Sequence, residues 1–579
     1  MPSAATAAAS SASPTPTKID ISSFPPHIKP QLRRIDYAAL RQLPGTAASH
    51  KKMDCLLRYV CDPSTYINIP TTSKPSEIRK AATPASFTQP LVDAGYIERC
   101  SPNQVCGSVF VFGTVEFNKR RVRIIQHPVV INDLLPMPEY DVSFKSIAER
   151  CQLVHAGAFA GTCDFSAYFT LFELHPLIRA RFGCRMPVVN AFGETVYELF
   201  RLRVAPTGLR HMPAVAISVT EHLKAFDHKS AAHDDHIDNI LFVGDYDAVH
   251  SDLLELGQRC DIAGVTVNED LKDPSPLIAT TLDWCGLRLN FTDKTVSLAS
   301  KTTTKIELSW NLRSSWTWRG ICSHIGMLRY AAAVIDCSIC DFWHLHVFVS
   351  AISRWQQEHD NKRYDERGVL PDAALVDLER WTSIALANKP RLIIKDKTPD
   401  FIVTVDSSAL GWGYAALDLQ TKKLYSHAGT WTADFQRKHA GKLHRSVLTE
   451  PYGMLFTKQH LQQLLGFQRY RRTVQIFSDN VATIATFRRG YASRSFDMNC
   501  VAALDRHNDT IAEHSWSYVH VAGKDNIFAD ALSRGRMVAE LAVEEPLGMR
   551  EFLTNLARAN GGNRIGGLQA VVGVEAQIQ

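Results

Sequence analysis
The sequence predicts an α/β protein built from several units, and three stretches carry that expectation. Residues 236–245 read as strand, tight turn and strand: Ile237 leads in, Asp238-Asn239 is a turn dipeptide, and a β-branched and aromatic run follows from Ile240 to Val243. Residues 305–392 carry Trp310, Trp316, Trp318, Trp343, Trp355 and Trp381 among leucines at helical spacing, the pattern of packed helices rather than of a cofactor box. From residue 401 onward, short apolar strands end in aspartate and run into helices, in the order β-β, α, β-α, β-α. A length of 579 residues agrees with several domains.

Composition narrows the class. Hydrophobic residues make up 45% and charged residues 21%, ordinary values for a packed chain. The 13 cysteines, an odd number without a framework, fit free thiols in a reducing compartment. No apolar run is long enough to cross a bilayer, so the expectation is an intracellular protein, cytoplasmic or nuclear, with no membrane partner. The net charge, 64 − 59 = +5, weakly favours a polyanionic partner. Its distribution says more: Lys119 to Arg123, Arg201 with Arg203, Arg469 to Arg472 and Arg488-Arg489 recur beside the candidate active-site segments, although any one such cluster is ordinarily a solvated face.

In chain order, residues 1–29 are expected to be a disordered tail, because positions 2–17 hold only Ala, Ser, Thr and Pro. The segment lacks the apolar core of a signal peptide and the arginines of a transit peptide. Helical periodicity follows around Leu32, Tyr37, Leu40, Leu56 and Leu57. A short helix over 87–97 ends at Gly95, and a hairpin over 109–125 carries the basic tip Asn118 to Arg121, with Arg123 in its second arm and Asn132 beyond. Asp164 ends an apolar approach and precedes the aromatic run Tyr168, Phe169 and Phe172; an aspartate there can cap a helix or serve chemistry. A strand over 197–203 leads to a loop with Pro206, Thr207 and Gly208, then an apolar helix over 214–223. A helix over 245–263 and a strand over 282–289 broken at Gly286 follow the hairpin. Cys337 and Cys340 are followed by His344 and His346, but no second CxxC or well-spaced His pair completes a zinc site, and a buried helix over 331–348 is expected. Residues 388–399 read as a linker.

The last unit holds four carboxylates at element ends: Asp406, Glu450, Asp479 and Asp530. One such aspartate usually caps its helix. Four that converge would repel one another unless cations filled the gap. Two divalent ions held a few Å apart can activate water and stabilise a leaving oxygen in phosphodiester cleavage.

These motifs resemble a known family. Residues 401–536 are similar to the retroelement branch of ribonuclease H, through Thr404-Val405-Asp406-Ser407-Ser408, Phe477-Ser478-Asp479-Asn480 and Ala522-Gly523-Lys524-Asp525-Asn526-Ile527-Phe528-Ala529-Asp530-Ala531-Leu532-Ser533-Arg534. Glu450 resembles the family's helix glutamate, with a less usual Pro451 after it. Residues 80–300 resemble the fingers and palm of a reverse transcriptase: Asp164 matches the first catalytic aspartate, Phe169 the residue that senses the sugar 2′ position, and Pro206 to Pro213, with Thr207 and Gly208, the loop against template and nucleotide. Asp238-Asn239 matches the paired aspartates of the catalytic hairpin, and Arg123 and Asn132 the fingers strand that meets the triphosphate. The combination looks most like tyrosine-recombinase retrotransposons of the DIRS, Ngaro and VIPER types.

The resemblance implies an α/β chain divided into a disordered tail (1–29), fingers and palm (30–300), helical thumb and connection (301–395), a ribonuclease H-like mixed sheet with flanking helices (396–540) and a C-terminal tail (541–579). It implies an RNA-directed DNA polymerase with a ribonuclease H, each using two Mg2+ or Mn2+ ions. Asp164 and Asp238 would hold the ions of one site, and Asp406, Glu450, Asp479 and Asp530 those of the other. The implied partners are an RNA template, a DNA primer, the RNA–DNA hybrid and deoxynucleoside triphosphates. One departure stands out: Asn239 replaces the second aspartate of the pair, keeping an oxygen ligand while losing a charge. A decayed polymerase that only binds nucleic acid, or acts only as a ribonuclease H, is the rival that Asn239 motivates.

Overall fold
The computed structural model describes residues 21–29, 33–71, 75–116, 119–137, 140, 144–337, 339–358, 364–393, 399–464, 472–489, 498, 500–502, 504–505, 515–536 and 546–562. Leu32, the cluster Arg469 to Arg471 and the side chains of Cys340 and Trp355 lie outside them. The fold is α/β, with helices around several sheets. Two compact units divide it: Met1–Ser146 with His155–Cys285, and Ile147–Val154 with Gly286–Gln579. Among the described residues no helix is long and apolar enough to cross a membrane.

The first unit contains β1 (Ile97–Arg99), the hairpin β2 (Phe110–Glu116) and β3 (Arg121–His127), β4 (Phe159–Asp164), β5 (Gly183–Val189), β6 (Thr195–Leu202), β7 (Ala232–His236), β8 (Asn239–Gly244), β9 (Ile278–Ala279) and β10 (Thr281–Trp284). One sheet has the order β7-β8-β4-β9, and β4 runs antiparallel to β8. Helices Met212–Leu223 and Tyr246–Ala263 share its core. The first is buried almost all round, as its apolar composition requires. The second ends at Gly264, where φ is +72°.

Two expectations need correction here. Residues 21–29 of the expected tail are structured, because Ile21, Phe24 and Ile28 pack against the core. Its backbone joins the edge of β3: Val122 N–H donates to the Pro25 carbonyl (2.8 Å) and His27 N–H to the Val122 carbonyl (2.7 Å). The hairpin turn is Ile237-Asp238, one residue earlier than the Asp-Asn dipeptide suggests, and Asn239 already belongs to β8. Ile237 takes φ +62°, an unfavourable angle for a β-branched residue. Tertiary bonds impose it: the Thr220 hydroxyl donates to the Ile237 carbonyl (2.8 Å) and Phe165 N–H to the Asp238 carbonyl (2.8 Å).

In the second unit, β11 (Leu287–Asn290), β12 (Thr295–Leu298) and β13 (Arg391–Leu392) form an antiparallel set. The start of the expected linker is therefore structured. Asn388 brackets Leu298 through both backbone groups (2.8 and 2.9 Å), and Arg391-Leu392 pairs with β12. Helices Ser300–Asn311, Trp318–Ile335, Trp343–Glu358 and Asp372–Ala387 fill the interval. Trp316 and Trp381 are buried as their spacing suggests, whereas Trp343 is exposed. The single helix expected over 331–348 is broken by Asp336, which caps the first helix at φ +51°.

The mixed sheet follows: β14 (Phe401–Ser407), β15 (Gly411–Asp418), β16 (Leu424–Thr430), β17 (Thr473–Ser478) and β18 (Ser515–His520), in the order β16-β15-β14-β17-β18. The first three strands are antiparallel, and β17 and β18 run parallel to β14. Helices Ser446–Leu464, Val481–Arg489 and Ile527–Ser533 flank the sheet. The C-terminal tail expected from 541 contains a helix, Pro546–Gly562, whose Met549, Leu553 and Leu556 pack with Ile402, Phe477 and Phe528. Their helical spacing supplies the reason.

A buried ion pair braces this unit. Lys458 Nζ lies 2.5 Å from Asp505 Oδ1 and 2.8 Å from the Tyr518 hydroxyl, with the Trp516 ring 4.6 Å away. Truncating Lys458 leaves Asp505 buried and unpaired, which costs about 3–5 kcal/mol. Urea denaturation of Lys458→Ala is expected to show that loss, and Lys458→Met with Asp505→Leu should recover most of it. A loss under about 1 kcal/mol in the single variant contradicts the assignment.

Candidate active sites
Two separate groups of acidic residues form, one in each unit. In the first, pairing of β4 with β8 sets Asp164 opposite Asn239, beside the turn that carries Asp238. The Asn239 side-chain N–H donates to Asp238 Oδ1 (2.9 Å), and the Asn268 side-chain N–H donates to Asp164 Oδ2 (2.7 Å). Asp164 N–H donates to Glu269 Oε2 (2.8 Å). Burial, and then the charge of Asp238, push the Asp164 carboxyl up from its ordinary value to about 6; Glu269 adds to this, while Asn268 and Lys29 oppose it. Burial raises Asp238 as well, against hydrogen bonds from its own amide and Asn239 and the charges of His236 and Arg123. Two neighbouring carboxyls whose charged forms burial disfavours make a site that a hard divalent ion would suit.

The expected nucleotide residues surround this group with different degrees of freedom. Arg123 projects from β3, half exposed, pairs with Glu116 (2.9 Å) and is felt electrostatically by Asp238. Phe169 lies in the short 3-10 helix Tyr168–Leu171 and packs partly against the core. Thr207 N–H and hydroxyl donate to Gln126 Oε1 (3.1 and 3.0 Å), and Gly208 N–H to the Gln126 carbonyl (2.8 Å), so this loop is zipped onto β3. A Cβ on Gly208 would meet that carbonyl at 2.6 Å. Asn132 is engaged elsewhere: its side chain donates to the Gly208 carbonyl and accepts from Arg210 N–H (2.8 and 2.9 Å). It braces the loop.

Asp234 and Asp235, an adjacent acidic pair just upstream of Asp238, are already neutralised. Asp234 accepts from Trp284 Nε1 (2.7 Å) and faces Lys145, and Asp235 meets Lys224 (2.5 Å). Arginines of the basic clusters in this unit are also paired with carboxylates. Arg121 pairs with Glu116, Arg201 with Glu98 and Arg203 with Glu173. In the second unit Arg488 donates to the Tyr518 carbonyl.

The second group lies at the strand ends of the mixed sheet. Asp406 is buried near the end of β14, Asp479 follows β17, and Glu450 is buried in the first turns of helix Ser446–Leu464. Each offers a carboxylate oxygen, and the three lie within 4.8 Å of one another. Close approach of the helix makes this possible, because a Cβ on Gly453 would collide with Ser407 Oγ. Pro451 sits inside that helix without ending it. The Ser533 hydroxyl donates to Asp406 Oδ2 (2.6 Å), and the Asn526 side chain ties the 523–526 loop to the Val405 carbonyl (3.0 Å).

Burial is the main reason that Asp406 rises to about 6 and Glu450 to about 9; the neighbouring carboxylates add to both. Asp530 stands further out than expected. Arg534, one turn on, donates twice to its Oδ1 (2.7 and 2.8 Å), although Asp530 still contributes to the rise of Asp406. All-oxygen, all-carboxylate donors at this spacing fit Mg2+ or Mn2+. Among the described residues this is the one group of three or more candidate ligands within reach of a single ion, and no such set includes Cys337.

Sequence reasoning missed Lys29, Asn268 and Glu269. The signal for Asn268 and Glu269 was faint, since they follow Val265 and Val267 on a segment that pairs locally with Phe165.

No protein-family model matches the chain, and no curated protein matches it. Solved structures of similar shape include a foamy viral protease-reverse transcriptase with double-stranded DNA, at 13% identity over 86% of this chain and 84% of that one, with a TM-score of 0.42. A second foamy viral protease-reverse transcriptase with double-stranded DNA superposes at a TM-score of 0.41, with 13% identity over 85% and 99% of the two chains. The foamy viral enzyme with an RNA/DNA hybrid gives 0.40, with 12% identity over 84% and 64%.

Proposed function
We propose that the chain is a retrotransposon reverse transcriptase: an RNA-directed DNA polymerase joined to a ribonuclease H, of the tyrosine-recombinase type. The observation that carries this is the gathering of Asp406, Glu450 and Asp479 within 4.8 Å at the strand ends of a mixed sheet, in one chain with Asp164 paired opposite Asn239, beside the turn that carries Asp238. Both groups stand on residues singled out by their motifs.

In the polymerase site Asp164 and Asp238 would hold magnesium or manganese. Arg123 would meet the triphosphate, Phe169 the sugar, and the Thr207-Gly208 loop the template base. In the nuclease site Asp406, Glu450 and Asp479 would hold the ions, with Asp530 at the rim. Bound divalent ions supply charge neutralisation and a more acidic water. The chain's own contribution is to fix the ligands before substrate arrives, so that little reorganisation is needed. The RNA strand would be chosen by duplex shape and 2′-hydroxyls rather than by sequence. The test is nucleotide incorporation on poly(rA)·oligo(dT), and RNA release from a hybrid, by wild type, Asp238→Asn and Asp479→Asn. Each variant should lose one activity and keep the other; loss of both together, or of neither, contradicts the proposal.

Asn239 favours one competing account, a decayed polymerase. Its side chain donates to Asp238 where a second carboxylate would repel. Asn239→Asp is expected to raise primer extension severalfold at limiting Mg2+, because an added charge tightens a hard-cation site. An unchanged or lower rate, measured across a Mg2+ titration, means that the site is adapted to asparagine.

A further inference from the structure
Lys29 reaches the rim of the proposed polymerase site from a segment whose composition gave no hint of it. The strap that carries it lies along β3, and Lys29 N–H donates to the Tyr96 hydroxyl (3.4 Å). The side chain then crosses to Ser166 Oγ (2.6 Å) and Asn268 Oδ1 (2.7 Å). Asn268 passes the contact on, donating to Asp164 Oδ2 (2.7 Å). One ammonium thus ties together segments that are 137 and 239 residues away in sequence.

The lysines of this unit that form ion pairs meet carboxylates, Lys52 with Glu221 and Lys145 with Asp234. Arg121, Arg123, Arg201 and Arg203 are all neutralised by glutamates, and Lys224 by Asp235. Lys29 is half-buried, yet among the described residues no carboxylate pairs with it directly, and both of its side-chain acceptors are neutral oxygens. A hydrogen bond from an ammonium to a neutral oxygen is weaker than one to an anion. The charge is therefore held in place and left available. Its position is specific. Ser166 lies in the chain between Asp164, a proposed metal ligand, and Phe169, the proposed sugar contact. Ala167, at φ +47°, makes the turn between them. The Lys29 ammonium therefore stands beside the short segment that joins Asp164 to Phe169.

We propose that Lys29 binds the phosphates of the incoming deoxynucleoside triphosphate. This rests on the polymerase assignment above and adds a residue that the family motifs do not supply. The ammonium turns on its flexible stem from Ser166 and Asn268 to the phosphate oxygens, which offer charge-assisted bonds. Asn268 keeps its bond to Asp164 throughout. Lys29 is then a substrate-binding residue delivered by the N-terminal strap.

The test compares wild type, Lys29→Ala, Lys29→Gln and Lys29→Arg in primer extension on poly(rA)·oligo(dT) with dTTP titrated. Thermal melting is recorded with and without Mg·dTTP. Removing the charge should raise the KM for dTTP about tenfold or more with a much smaller change in kcat, and should shrink the dTTP-induced rise in Tm. Arginine should restore most of both, and hybrid cleavage should stay at the wild-type level. An unchanged KM overturns the assignment. So does a loss of melting temperature without nucleotide that arginine fails to repair, since that is the mark of a strap pin. If wild type itself does not extend a primer, the polymerase assignment fails and takes this one with it; a failure confined to the Lys29 variants leaves that assignment standing.

Discussion

Glu450→Gln is expected to cut hydrolysis of the RNA strand of a hybrid by about a thousandfold, ~4 kcal/mol of transition-state stabilisation. The same change should make the metal-free protein more stable at alkaline pH. The sign follows from the direction of the shift. Glu450 has an ordinary value of 4.5 and is pushed to about 9 in the folded chain. Between those values the folded state holds a proton that the unfolded state has released. Its contribution to stability is therefore fully present below about 4.5 and is lost as pH rises toward 9. Asp406, raised from 3.8 to about 6, steepens the acid end of that fall.

Glutamine carries no charge at any of these values, so its curve should be flatter. Divalent cations act in the opposite sense: they displace the protons and stabilise the folded state by mass action, more strongly at higher pH. Thermal melts in EDTA at pH 5, 7 and 9 check this. Wild type and Glu450→Gln should coincide most nearly at pH 5 and diverge by several degrees at pH 9, with the variant higher. Parallel curves would mean that the Glu450 carboxyl is not raised in the folded chain.

Asp164→Asn should lower primer extension by about a thousandfold as well, while leaving hybrid cleavage intact. The substitution is close to isosteric. The amide oxygen can still accept from Asn268, and the repulsion by Asp238 that helps to raise the Asp164 carboxyl disappears. The folded state is therefore expected to be at least as stable as wild type, and lost activity cannot be ascribed to unfolding. Retention of more than about a tenth of the extension rate would show that Asp164 holds no ion in the reaction. Parallel assays of both activities on one preparation of each variant make the comparison.

Some of this site was legible in the sequence because its signals are local. Asp406 and Asp479 each end an apolar strand, and strand-then-aspartate is a pattern of adjacent residues. Glu450 needed more, since its place depends on a helix approaching β14 closely enough that Gly453 leaves no room for a Cβ beside Ser407. Asp530 was set too near the centre, although Arg534 one turn later was there to claim it.

The hairpin turn was misplaced by a residue for a physical reason. Asp-Asn is a favoured turn dipeptide and isoleucine at positive φ is not, but bonds from Thr220 and Phe165 override the local preference. The ordered strap over 21–29 was hidden by the composition of the residues before it, although Ile21, Phe24 and Ile28 were its signal. Lys29 itself could not be read from sequence. Nothing local to it announces Ser166 or Asn268, and only the folded chain brings them together.

Anomalous diffraction from crystals soaked in Mn2+ near pH 8 measures the central claim most directly. The account requires Mn2+ peaks at two places: against Asp164 and Asp238, and against Asp406, Glu450 and Asp479. Peaks at neither place, or manganese bound only to scattered surface carboxylates, would contradict it.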